Sequence, residues 1–296
     1  MTSPTDALRS VLEIVPSDEV LEGGGFVVRR AFPTVRCPMV DPFLLLDQMG
    51  PVDYPPDGAI GAPDHPHRGF ETVTYLLEGA MRHRDSAGHE GRLGPGSIQW
   101  MTAGSGVVHS EMPDPEFLRT GGRMHGFQLW VNLPARAKMT PPRYQDIPRD
   151  QIPTATTPDG RVVARVIAGE AMGLRARVDT RTPITFLHFT IRDTGTIDQP
   201  FVRSHNVVAY VFQGEGAFGR DSVPASAGFA VRFASDGELV RVAHAGRGIE
   251  PLEVLVIAGE PLAEPVARYG PFVMNEPREI DEAVRDYRSG RMGRIT

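Results

Sequence analysis

Two short runs carry residue types that can hold a metal. His65-Pro66-His67-Arg68-Gly69-Phe70-Glu71 sets two imidazoles two residues apart, and Val107-Val108-His109-Ser110-Glu111-Met112-Pro113 sets an imidazole and a carboxylate at the same spacing. In an extended chain, positions i and i+2 point to one face. Adjacent strands bearing both pairs inward would aim three imidazole nitrogens and one carboxylate oxygen at a common point, a mixed donor set suited to a borderline transition metal. Four protein ligands without a thiolate leave positions open for substrate or oxygen when the metal is six-coordinate iron, manganese, cobalt or nickel. Surface histidines on turns are the plain alternative; two such pairs among only nine histidines weigh against it.

Other residues carry weaker signals. Glu71 shares parity with His65 and His67, so it is either a further ligand or supporting partner, or an outward strand carboxylate, and it stays off the ligand set. His125 precedes a strand-like run and reads more simply as a hydrogen-bonded histidine than as a cavity residue. Phe70, Trp100, Met101 and Trp130 suit either a core or the wall of an aromatic-binding cavity, with core the simpler reading. Cys37 has no neighbouring His or Lys to lower its pKa and reads as a buried structural thiol. Gly23-Gly24-Gly25 opens a strand, with no Lys-Ser after it, and reads as a turn.

The elements that must position the two pairs are strands. Gly at 32 and Pro at 27 of 296 residues favour many turns over long helices. Segments rich in β-formers and bounded by Gly or Pro run over 72–77, 97–101, 126–133, 162–168, 185–191, 207–213, 229–233, 239–243 and 252–258, which predicts a sandwich or barrel. Prolines at 134, 141, 142, 148, 153 and 158 mark residues 135–160 as a linker between domains 1–134 and 161–296. The halves share Tyr75-Leu76-Leu77-Glu78-Gly79 and Tyr210-Val211-Phe212-Gln213-Gly214, which suggests an internal duplication. Aligned on those tyrosines, Pro200 and Val202 replace the imidazole pair and His244 stands alone, so one metal per chain is expected, in the N-terminal half. Ile280, Ala283, Val284 and Tyr287 recur at helical spacing between Pro277 and Gly290, predicting a C-terminal helix.

A net charge of −6 without any basic run disfavours direct nucleic-acid binding. The single cysteine excludes an internal disulfide. No apolar run approaches the roughly 18 residues of a membrane span, nor does Met1 to Ser10 hold a signal core, so the cytoplasm is the expected compartment.

The histidine motifs, together with Asp41-Pro42-Phe43-Leu44-Leu45-Leu46-Asp47, Gln99-Trp100-Met101-Thr102-Ala103-Gly104 and Gln128-Leu129-Trp130-Val131-Asn132-Leu133-Pro134, resemble the signatures of the pirin family within the cupins, over nearly the whole chain. The resemblance implies an all-β bicupin: two jelly-roll-like β-barrel domains with a C-terminal helix, iron(II) in the first barrel and none in the second. By position it maps the family's ligands onto His65, His67, His109 and Glu111. Pro113 departs from the asparagine common in generic cupins, as the pirin version of the motif does. The activity implied is a dioxygenase that opens the heterocycle of flavonols such as quercetin with O2 and releases CO, Glu111 acting as ligand and base. The alternative implied is an iron-containing, redox-sensitive regulator acting by contact with a protein partner on transcription or metabolic enzymes. Manganese, nickel, cobalt and copper suit the same ligands. A monomer is the simplest expectation for a bicupin.

Overall fold

The computed structural model describes residues 7–246 and 249–295, so the outermost parts of the expected domains 1–134 and 161–296 lie outside the described residues. Alternation is the dominant packing signal. Leu187, Phe189 and Ile191, Val207, Ala209 and Val211, and Val254, Val256 and Ala258 point at one shared core, which Phe218, Val240 and Val242 of a second sheet complete. A period of two buries one face of each strand, and β-branched side chains fill that face without losing rotamers they would otherwise use.

Two sheets make up each half. In the first arrangement a seven-stranded sheet runs in the order Arg143–Ile147, Ile98–Thr102, Phe70–Glu78, Gly122–Asn132, Phe43–Tyr54, Phe26–Phe32, Asp18–Glu22, beside a four-stranded sheet of Ala62–His67, Val107–Pro113, Met81–Asp85 and Glu90–Leu93. The second repeats that plan: Val11–Pro16, Phe229–Phe233, Asn206–Gln213, Leu252–Gly259, Ile184–Ile191, Val162–Ala168, Thr154–Thr156, with Thr196–Pro200, Leu239–His244, Glu215–Phe218 and Val223–Ser226. The duplication suggested by the tyrosine motifs is thus visible as matching strand order, Phe70–Glu78 and Asn206–Gln213 holding equivalent places.

The division of the chain differs from the expected 1–134, 135–160 and 161–296. One compact unit comprises the chain up to Asp18, Ala31–Asp41 and Asp150–Pro261; the other comprises Glu19–Arg30, Pro42–Arg149 and everything from Leu262. The proline-rich stretch is not a free linker, because Arg143–Ile147 pairs with Ile98–Thr102 and Thr154–Thr156 pairs with Val162–Ala168, each as an edge strand, where prolines nearby do no harm. The C-terminal helix Pro277–Arg288 forms as its spacing predicts, with Pro at its start and a capping box between Glu276 and Glu279. Its home is the histidine-bearing unit: Ile280 and Ala283 pack with Phe272, Met274, Met292 and Val108, and Asp286 accepts from Arg68 Nη2 at 2.7 Å. Ranges set by apolar periodicity alone could not reveal that partner. No helix among the described residues is long and apolar enough to cross a membrane.

Lys138, the sole lysine, is buried and donates from Nζ to Gly69 O (2.9 Å), Asn132 Oδ1 (2.7 Å) and Val273 O (3.0 Å). One ammonium thereby ties the corner after His67 to the strand Phe272–Met274. Gly69 makes that corner with φ +90°, and a Cβ there would lie 1.9 Å from Val273 O. Gly69→Ala is expected to destabilise the protein by about 2 kcal/mol or more, from backbone strain and from parting these strands, as read by the midpoint of urea unfolding.

Candidate metal centre

The strands Ala62–His67 and Val107–Pro113 pair antiparallel, with His109 directly opposite His65 and Val107 opposite His67. Period-two geometry then turns His65, His67 and His109 to one side. Their ring centroids lie 4.4 to 4.9 Å apart. One ring nitrogen from each falls within 4.8 Å of the others, the one such cluster of metal-ligating side chains among the described residues. His65 Nδ1 lies 2.7 Å from Pro63 O, a bond that leaves its Nε2 as a bare lone pair, 3.1 Å from His67 Nε2.

Burial makes this arrangement costly without a cation. His109 is 1% exposed and neither of its ring nitrogens has a hydrogen-bond partner. Buried polar atoms are nearly always satisfied, and three converging imidazoles with an orphaned ring form a donor set that a bound metal would satisfy. Burial drives the pKa of His109 and of His67 well below the ordinary histidine range, reinforced for His67 by His65 and for His109 by His67, His65 and His83. The rings are therefore neutral at neutral pH, the state in which a ring nitrogen binds a metal. His244, the second-half histidine that aligns with His109, differs sharply: Nε2 meets Glu250 O at 2.9 Å and Nδ1 accepts from the Gly246 amide at 3.0 Å.

Glu111 lines the same cavity but stands outside the histidine cluster. A register shift between His109 and Glu111 separates the two along the strand. Its Oε1 accepts from Thr74 Oγ1 at 2.8 Å and its Oε2 from Gln128 Nε2 at 2.9 Å, which fixes the carboxylate while leaving a lone pair on each oxygen. Glu71 is fully buried elsewhere and accepts from Thr102 Oγ1 at 2.6 Å. The turn at Gly69 breaks the parity that joined Glu71 to the histidines on paper.

The cavity holds about 440 Å³, within the range of small-molecule sites, and its walls include Phe26, Val28, Leu45 and Trp130. Of the four residues weighed as wall or core, Trp130 lines the cavity, whereas Phe70, Trp100 and Met101 are buried core. His125 pairs with Gln48 at 3.0 Å, the plain role expected of it. Cys37 is buried, and burial pushes its thiol pKa up. Asp47 and Glu22, which the spacing did not single out, also line the cavity. Arg30 donates to Asp47 through Nε (2.8 Å) and Nη2 (2.6 Å) and to Glu22 through Nη2 (2.5 Å). Burial pushes the Asp47 carboxyl up to about 6 against that pairing. A charge inside the apolar run Phe43-Leu44-Leu45-Leu46-Asp47 was the available signal, since ionised residues are seldom buried without a partner.

The fold and this site have known relatives. The sequence matches the family profile described as Pirin over residues 25–131 and that described as Pirin C-terminal cupin domain over residues 186–293. A pirin-like protein of Solanum lycopersicum is 42% identical over 293 residues, covering 99% of this chain and 96% of that protein. A Pseudomonas aeruginosa protein provisionally named a quercetin 2,3-dioxygenase is 41% identical, covering 95% of this chain and 97% of its own length. Among solved structures, a quercetin 2,3-dioxygenase from Acinetobacter baumannii superposes with a TM-score of 0.91 at 35% identity, covering 98% of this chain and 100% of that one. Sequence and structure together make this chain a member of the pirin family.

Proposed function

We propose that the protein is a metal-dependent dioxygenase that opens the heterocycle of flavonols such as quercetin with O2 and releases CO, using one iron(II) held by His65, His67, His109 and Glu111. The observation that carries this reading is the convergence of three imidazoles, one of them without any hydrogen-bond partner, on a cavity with apolar walls. The 35% identical quercetin 2,3-dioxygenase and the provisionally named relative support the substrate class.

The bound metal supplies Lewis acidity toward the 3-hydroxyl and adjacent carbonyl of the flavonol and a redox centre for its reaction with O2. The chain's own residues do the rest. Phe26, Val28, Leu45 and Trp130 hold the aromatic rings and exclude water. Glu111 takes the 3-hydroxyl proton on a carboxylate oxygen, and Thr74 and Gln128 keep that carboxylate aimed while it carries the proton.

The test is O2-dependent loss of quercetin absorbance by protein loaded anaerobically with iron(II). Turnover is expected. Iron bound without turnover would sink the enzymatic reading and leave the regulator that acts by protein contact. Glu111→Gln is expected to retain metal through the three histidines while turnover falls about 100-fold or more. Metal content and initial rate are measured on the same sample, and an unchanged rate would remove Glu111 from proton transfer.

A further inference from the structure

Arg268, on the strand Ala267–Tyr269, reaches the same cavity as His65, His67 and Glu111. Its guanidinium carbon lies 5.0 Å from the centroid of the Trp130 ring, and that ring meets His67 at 5.2 Å. Trp130 therefore spans from the histidine cluster to the cation. Two features set Arg268 apart from Arg30 nearby. Arg30 is saturated by Asp47 and Glu22, whereas Arg268 makes one hydrogen bond, to Leu44 O at 3.3 Å, and has no carboxylate within 4.0 Å among the described residues. A guanidinium carries five N–H donors in a fork that matches a carboxylate, and the residue remains solvent-accessible, so this fork is open to a ligand. The surroundings also disfavour its charge: partial burial comes first and the Arg30 cation second, ahead of the attraction of Glu22 and Asp47. An incoming anion would relieve both effects.

We infer that Arg268 is the anion-binding residue of this cavity, and that the preferred substrate is an aromatic enol carrying a carboxylate on the ring remote from its metal-binding oxygens. The inference rests on the dioxygenase reading of the cavity and narrows its substrate class. Apolar walls take the rings, the histidine-held metal takes the enol and carbonyl oxygens, and Arg268, stacked on Trp130, pairs with the carboxylate. Of the acids that line the cavity, Asp47 and Glu22 are already matched by Arg30, while Glu111 and Asp64 remain in the lining. Quercetin, which has no carboxylate, is then an analogue that uses only part of the site.

Two probes of the same shape test this: 4′-carboxy-3-hydroxyflavone and its methyl ester. Their dissociation constants are measured anaerobically with the zinc-loaded protein by quenching of tryptophan fluorescence, a readout independent of turnover. The acid is expected to bind about tenfold or more tighter than the ester, as a charge-assisted pair contributes in a partly desolvated site. In Arg268→Met the ratio of the two constants should fall to near one, and Arg268→Lys should retain part of it. Equal binding of acid and ester by the wild type, or an unchanged ratio in Arg268→Met, would overturn the inference while leaving the dioxygenase reading in place. Failure of both probes to bind the wild type would overturn the two together.

Discussion

The double variant His65→Ala, His67→Ala is expected to lose both metal-dependent stabilisation and quercetin turnover. Any ligand that binds only the folded chain raises unfolding free energy by RT ln(1 + [L]/Kd), about 2.7 kcal/mol at a hundredfold excess over Kd. Wild-type protein titrated with iron(II) under nitrogen should therefore melt at a rising temperature as metal is added. The variant keeps only His109 and Glu111 of the four proposed ligands, too few to hold the ion, so its melting temperature should not move. The metal-free variant should remain folded, because His65 is half-buried and neither lost ring takes part in an ion pair among the described residues. A melting shift preserved in the variant would place the metal elsewhere and overturn the assignment of all three histidines.

The second large effect concerns Lys138→Met, expected to cost about 3 kcal/mol at neutral pH. Methionine fills much of the volume but leaves Gly69 O, Val273 O and Asn132 Oδ1 without the donor they share, and each buried acceptor left unmet costs roughly 1–3 kcal/mol, offset by the ammonium no longer buried. Burial lowers the Lys138 pKa to about 8 from 10.5, against the pull of Glu264 and Glu279, so the amine is still protonated at pH 7. Between pH 8 and 10.5 the unfolded chain binds the extra proton, and stability therefore rises with pH across that window. The wild type should gain on the variant there, by up to roughly 3 kcal/mol. Urea unfolding of both proteins at pH 7 and pH 10 measures the difference; a constant gap would show that Lys138 does not titrate in the window.

How much of this was readable beforehand depends on the range of the interaction. His65, His67 and His109 were legible because strand parity is a local rule and it held on both sides of the pair Ala62–His67 and Val107–Pro113. Glu71 shows where the rule stops: a single left-handed residue, Gly69, moves the chain to another sheet and turns the carboxylate toward Thr102. The strand Phe43–Tyr54 escaped notice because Gly50-Pro51 inside it has the composition of a turn. Lys138 and Arg268 were illegible as functional residues for a different reason. Lys138 is defined by Val273 and Arg268 by Trp130, partners far away in sequence, and no spacing rule connects them. The helix Pro277–Arg288 was visible from its own periodicity, yet its attachment through Asp286 to Arg68 was not.

The membership of that last segment bears on the order of events during synthesis. A nascent chain emerges N-terminus first, and its domains ordinarily fold as they appear. Here the histidine pairs leave the ribosome early, but the strand that accepts from Lys138 and the helix that anchors Arg68 come after Leu262. The unit built from Asp150–Pro261 has all its sheet partners before then, since Val11–Pro16 was made first. The half without the histidine cluster can thus close while the half with it still waits, and metal loading becomes one of the last steps in the maturation of the chain.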